Sequence, residues 1–204
     1  YHTAVGYEAG KSVTTGNYTT SIGYRAGKLN TANENVFVGA SAGDANTSGF
    51  MQTVVGYNAL SANTTGSKHT AIGNYALART TTAEENTAVG VNALAYCTTG
   101  GLNTAVGYEA GLNITTGAYN TIIGRNCGAS LTTGTNNIVI GNNATASSAT
   151  ATNEVTLGST SISTLRCNTQ TISSLSDGRD KTEVEDLPLG LDFIDTLRPV
   201  KFKW

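Results

Sequence analysis

Charge is scarce in this chain of 204 residues: 12 Lys or Arg against 14 Asp or Glu leave a net charge of −2. That balance excludes the basic footprint of a nucleic-acid binder and the polybasic anchor of a membrane-surface protein. Proline occurs only 2 times, tryptophan 1 time and cysteine 3 times. Cys97, Cys127 and Cys167 have no CxxC spacing, so neither a disulfide framework nor a zinc site is expected, and the thiols read as buried or idle. No apolar run approaches the ~20 residues of a spanning helix, so no membrane insertion is expected. The aspartates of calcium-binding nonapeptide repeats, a complete P-loop and a dinucleotide fingerprint are all missing, and no cofactor is expected. There is no signal peptide and no initiating Met. Tyr1 opens inside a motif that recurs later, which points to a piece of a longer chain.

What is present is repetition. The phrase TAVGYEAG stands at 3–10 and again at 104–111, and TSIGYRAG, TVVGYNAL, TAIGNYAL and TIIGRNCG lie between and beyond. The shared glycines are Gly6, Gly23, Gly39, Gly56, Gly73, Gly90, Gly107, Gly124, Gly141 and Gly158, spaced by seventeen residues with a single step of sixteen. Before each stands a β-branched residue, from Val5 and Ile22 through to Ile140, with Leu157 the one exception; a short packed strand favours such residues. Three residues after it comes Ala9, Ala26, Ala42, Ala59, Ala76, Ala93, Ala110, Cys127 or Ala144. A column restricted to Ala or Cys marks a tight interior and accounts for Cys127 without redox chemistry. Thr-Thr-Gly at 14–16, 64–66, 98–100, 115–117 and 132–134 supplies a second turn. Asn35, Asn86, Asn103, Asn120 and Asn137 share one position and form a candidate stacked amide ladder.

Two short extended runs and two glycine turns per seventeen residues read as one coil of an all-β β-solenoid. At about 4.8 Å per coil, residues 1–158 would make a rod roughly 45 to 50 Å long. The expected interior is thin, one Val or Ile and one Ala per level. So little burial calls for oligomerisation, with a parallel homotrimer favoured.

The repeat resembles the β-roll heads of trimeric autotransporter adhesins and, more closely, the repeats of bacteriophage tail fibres. That resemblance covers residues 1–158 and implies a structural and adhesive role on a virion. Its partners would be other phage tail proteins upstream and a host cell-surface glycan or protein. Cell-surface adhesin or secreted filament is the alternative. Tyr7, Tyr24, Tyr57 and Tyr108 follow the repeat glycine and are candidate receptor contacts, because exposed tyrosines stack on sugar rings; packing between subunits is the competing reading.

Little else offers chemistry. A glycan-cutting solenoid needs two carboxylates about 5 to 10 Å apart. Glu8 and Glu109 share a column but sit near ~29 Å apart at the coil spacing. Glu84 and Glu85 are adjacent in sequence and point to opposite faces of an extended chain. Asp44 and Glu34 read as solvated surface charges. His2 and His69 share a column four coils apart, too far for one metal ion. Threonine-rich columns raise ice binding, but Val36, Ile138 and Val155 interrupt them. Asn17 and Asn113 open N-x-T triplets, weak glycosylation signals in so Asn- and Thr-rich a composition.

The register fades from Ser159. Residues 159–176 read as an extended neck, and the last twenty-eight residues hold twelve of the twenty-six charges. Asp186 and Pro188 start a short helix with Leu191, Ile194 and Leu197 on one face, and Pro199 ends it. Val200, Phe202 and Trp204 then alternate with Lys201 and Lys203, as in a half-buried strand. This tail, with Ser176-Asp177-x-Arg179-x-Lys181 followed by GLDFIDTLRPVKFKW, resembles the opening of the C-terminal intramolecular chaperone of endosialidase-type tailspikes. The resemblance implies an α+β segment from 177 onward that trimerises, guides folding and cleaves itself away. Ser176 would be the reactive residue, Lys181 its activating partner and Ser176–Asp177 the scissile bond. A Lys of lowered pKa can serve as base for a serine hydroxyl. Apart from that self-cleavage, no enzyme activity is expected.

Overall fold

The computed structural model describes residues 1–14, 18–164 and 166. Ser176, Asp177 and Lys181, most of the neck, and the helix and strand expected after residue 186 lie outside the described residues. Every strand among the described residues falls in one compact unit, Tyr1–Ser163.

One strand forms per repeat: β1 (His2–Val5), β2 (Thr19–Ile22), β3 (Val36–Val38), β4 (Thr53–Val55), β5 (Thr70–Ile72), β6 (Thr87–Val89), β7 (Thr104–Val106), β8 (Thr121–Ile123), β9 (Ile138–Ile140) and β10 (Val155–Leu157). They make a single sheet in chain order, every neighbour parallel. The result is an all-β parallel β-solenoid with coils of about seventeen residues. From first strand to last the sheet spans about 43 Å at the usual strand spacing. The sixteen-residue step lies between β2 and β3, where Thr20 pairs with Val36. Its missing residue falls in the Thr-Thr-Gly turn. There Ala32 takes the glycine's place, its carbonyl accepting from Asn30 Nδ2 at 3.0 Å.

The second extended run expected in each coil does not form among the described residues. Each coil instead holds residues of positive φ at three positions, as in Glu85 (φ 59), Asn92 (φ 58) and Leu94 (φ 51). A chain that repeatedly enters the left-handed region turns and cannot extend. Stacking continues through these turns by backbone hydrogen bonds from coil to coil, for example Leu77 N to Ala93 O at 3.0 Å and Thr98 N to Thr115 O at 2.9 Å. The first threonine of the Thr-Thr-Gly turn adds its hydroxyl to the same acceptor, as Thr64 Oγ1 does to Thr81 O at 3.1 Å. The repeat glycine is required because the next coil lies directly over it. At Gly107 (φ 135) a Cβ would stand 2.5 Å from the Gly124 carbonyl oxygen.

The interior differs from the sequence expectation. Strand alternation turns the residue two before the glycine inward: Phe37, Val54, Ala71, Ala88, Ala105, Ile122 and Val139 are buried completely. The Val or Ile next to the glycine therefore faces outward, and seven of that column, from Val5 to Leu157, are 37 to 58 % exposed. Three further columns complete the core. One is the predicted Ala/Cys column, with Ala26 through Cys127 and Ala144 buried. The next carries Leu60, Leu77 and Leu94, and the third carries Ile114 and Leu131. The interior is thus thicker than one Val or Ile and one Ala per level.

Opposite the apolar columns runs the amide ladder. Asn103 Nδ2 donates to the Gly117 carbonyl at 2.9 Å, and its Oδ1 accepts from Asn120 N at 3.0 Å. Asn86, Asn120 and Asn137 repeat the pattern. Gln52 and His69 occupy the same column between Asn35 and Asn86, and the rungs run from Asn35 to the Glu154 amide, which donates to Asn137 Oδ1 at 3.0 Å, with a break above Gln52, whose buried Oε1 has no partner. Near β3 a second amide column, Asn30, Asn46 and Asn63, cross-links to the first through Asn35 Nδ2 to Asn30 Oδ1 at 3.0 Å and Gln52 Nε2 to Asn46 Oδ1 at 3.1 Å.

Candidate functional site

The surface carries three features with the makings of function. The first is the outward face of the sheet. None of the ten strands contains Asp, Glu, Lys or Arg. Val5, Ile22, Ile72, Val106, Ile123, Ile140 and Leu157 stand half-exposed along it in one line, because successive strands pair in register, Ile72 on Val89 and Val89 on Val106. A second line, mostly threonine, runs beside it two residues earlier, with Thr53, Thr70, Thr87, Thr104 and Thr121 stacked strand on strand. Val36, Ile138 and Val155 replace threonine in that line. The sequence reading put the Val/Ile line inside. Alternation around the glycine was the signal for the opposite, and the mixed composition of the true inward column masked it.

The second feature is aromatic. Tyr7, Tyr24, Tyr57 and Tyr108 are all exposed, at 46 to 66 %. The coil path puts them in one column, but Ala40 and Asn74 break it into pieces. Tyr7 stacks on Tyr24 with centroids 5.4 Å apart and planes 12° from parallel. Tyr57 meets Tyr75 edge-on at 5.4 Å. Tyr108 lies under the Arg125 guanidinium at 5.7 Å, and hydrogen bonding to the Glu109 carboxylate holds its hydroxyl above the usual pKa. A further pair, Tyr1 on Tyr18 at 5.5 Å, flanks the other end of the first strands.

The third feature is a charge cluster on the first coils. Glu8 accepts from Lys11 Nζ at 2.6 Å and pairs with Lys28 Nζ at 2.7 Å. Those two hydrogen bonds pull its carboxyl down to about 2. Asp44 faces Arg25 Nη2 at 3.7 Å, and its partial burial outweighs that attraction and raises its pKa. Glu8 is thus held ionised between two lysines, Lys11 on its own coil and Lys28 on the next.

Cys97, Cys127 and the two histidines serve the fold. Cys97 and Cys127 are buried free thiols, and burial pushes the Cys97 thiol up to about 11, away from the thiolate that reactivity needs. His2 bonds the Thr19 carbonyl through Nδ1 at 3.1 Å, and His69 belongs to the internal ladder. Among the described residues no group of three or more His, Cys, Asp or Glu could hold a metal ion. Among them, too, no helix is long and apolar enough to cross a membrane. Compared with family models, curated proteins and solved structures, the chain matches none, so the functional reading rests on its own residues and geometry.

Proposed function

We propose that the chain is a structural and adhesive segment of a homotrimeric extracellular fibre. The fibre type most similar in sequence pattern is the bacteriophage tail fibre, which would place this segment between other tail proteins and a host-surface glycan or protein. One observation carries the reading: the outward face of the sheet, ten strands long and free of Asp, Glu, Lys and Arg, with its line of valine, isoleucine and leucine half-exposed at seven of the ten strands. Water-facing sheet surfaces normally carry polar or charged residues, and apolar patches this extended mark association surfaces. The thin-core argument for partners falls away with the thicker interior, and the exposed line takes its place. Three identical chains supply the same face three times around a closed symmetry axis.

Sedimentation equilibrium of the purified chain tests this. A mass of three protomers is expected. Val89→Lys combined with Val106→Glu places opposite charges on two stacked positions of the face, so each protomer keeps its fold while the trimer dissociates. A parent that sediments as monomer or dimer overturns the trimer. For the tail, Ser176 and Lys181 would carry self-cleavage at Ser176–Asp177 and release a folding device that sets the register of three near-identical coil stacks. Intact mass of the product expressed through its natural C-terminus decides this. Loss of everything after Ser176 in the parent but not in Ser176→Ala is the expected result, and two uncut chains refute it.

A further inference from the structure

Glu109, Asn126 and Asn143 occupy one surface column on consecutive coils, two residues past the repeat glycine, each with positive φ (55, 50 and 54). On the first coils the same column and the one three residues later hold Glu8, Arg25, Lys11, Lys28 and Asp44, joined by ion pairs. Towards the other end the later column shortens to Leu112 and Ala129, and a groove of about 300 Å³ opens, lined by Glu109, Leu112, Asn126, Ala129, Asn143 and Thr145. Asn126 Oδ1 is buried in its wall without a hydrogen-bond partner, a state that costs stability until some donor reaches it. The groove therefore offers a carboxylate, amide and hydroxyl groups and an apolar floor, and a turn of the Asn126 side chain brings its unsatisfied acceptor out to a ligand.

We propose that this groove binds a neutral saccharide ring, with hydroxyls donating to Asn126 Oδ1 and the Glu109 carboxylate and the C–H face of the ring on Leu112 and Ala129. The volume lies at the small end of ligand pockets, enough for a ring or two. The Glu109 charge disfavours acidic sugars. A divalent cation is the poorer fit, since calcium needs 6–8 oxygen ligands and Leu112 and Ala129 make the floor hydrocarbon. The inference rests on the adhesive part of the function proposed above and is independent of trimerisation and cleavage.

Saturation-transfer NMR on the full chain, with methyl glycosides of glucose, galactose and N-acetylglucosamine as probes, reads the site. Single rings bind proteins weakly, so concentrations up to about 50 mM are used to cover the millimolar range. At least one glycoside gives a saturable response. Ala129→Leu fills the groove with the side chain that Leu112 already presents one coil earlier, and weakens that response roughly tenfold, about 1.4 kcal/mol. Asn126→Gly suits the left-handed backbone, removes the acceptor and gives a second reading should the first variant fold poorly. Silence with all three glycosides overturns the proposal. A response that survives both groove variants but is lost in Tyr24→Ser overturns it too and moves adhesion to the tyrosines.

Discussion

Each asparagine of the internal ladder uses one amide in two directions, its Nδ2 on a turn carbonyl and its Oδ1 under the backbone amide of the next coil. His69 meets the same demands with a ring: Nε2 lies 2.9 Å from the Ala83 carbonyl, and Nδ1 accepts from Asn86 N at 3.2 Å. A carbonyl can only accept, so the proton sits on Nε2, and the ring must be neutral to leave Nδ1 free. Burial without a counter-charge pushes its pKa down to about 4; its charged neighbours in sequence and in the next coil, Lys68 and Glu85, pair with each other at 2.6 Å. The direction of the pH effect follows. Above pH 6.5 both folded and unfolded chains carry a neutral ring and stability is full. As pH falls from 6.5 towards 4 the unfolded chain takes up a proton that the fold refuses, so stability declines, by about 3 kcal/mol over the whole window. The upper part of this window lies above the range where carboxylates titrate. Urea melts at pH 7 and pH 5 should show the loss in the parent. His69→Asn restores the column's usual side chain, and its stability should be flat between those two values. A parent equally stable at both would show that the ring is not held neutral.

Within a coil, large and small side chains alternate by position so that each level is filled once. Where the inward strand residue is Phe37, the turn positions facing it are Gly27 and Gly43, and a Cβ on Gly43 would run into the Phe37 ring. Where that residue shrinks to Ala71 or Ala88, the turn carries Leu77 or Leu94, both buried. Leucine at positive φ (52 and 51) costs about 1–2 kcal/mol of backbone strain, a cost that burying its side chain offsets. Phe37→Ala alone should lose about 3–5 kcal/mol through the cavity it leaves. Gly43→Leu alone should be damaging through overpacking and strain. Combined, the leucine enters the space left by the phenyl ring, and the double variant should be more stable than Phe37→Ala by itself. Thermal melts of the four proteins give the coupling, and simple additivity would refute the reciprocal packing. The same pairing explains what was legible in the sequence. The period, the repeat glycines and the Ala/Cys column were plain because each is nearly invariant from coil to coil, and the amide column because asparagine recurs in it five times. The inward strand column was not, since Ser21, Phe37, Ala71 and Ile122 look unrelated until read against Gly27, Gly43, Leu77 and Gly128 four residues past the repeat glycine. The groove at Asn126 had no linear signature, because it is defined by short side chains on successive coils.

Across the whole sheet each strand is hydrogen-bonded only to the strands one repeat away on either side. Stability is then close to a sum over coils and the interfaces between them, and the unit of insertion or deletion is the coil. Excising residues 104–120 joins Asn103 to Thr121, two positions with the same structural neighbours as before, and brings Val89 onto Ile123 and Asn103 onto Asn137. The shortened protein should fold with the same β signature, lose about 4.8 Å of length, melt only a few degrees lower and keep the oligomeric state of the parent. Excising residues 104–112 removes about half a coil and sets outward residues against inward ones. Every column beyond the cut is then mismatched, and no cooperative melt should remain. Circular dichroism melts with sedimentation on the two deletions separate these outcomes. If the full-coil deletion fails like the half-coil one, stability is not shared coil by coil, and some single rung must be indispensable. The interior change from paired amides around Asn46 to aliphatic side chains around Leu131 makes that a real contest. A rung such as the one at His69, where the second amide column gives way to Thr80, joins two differently built halves and is the place where such a dependence would show.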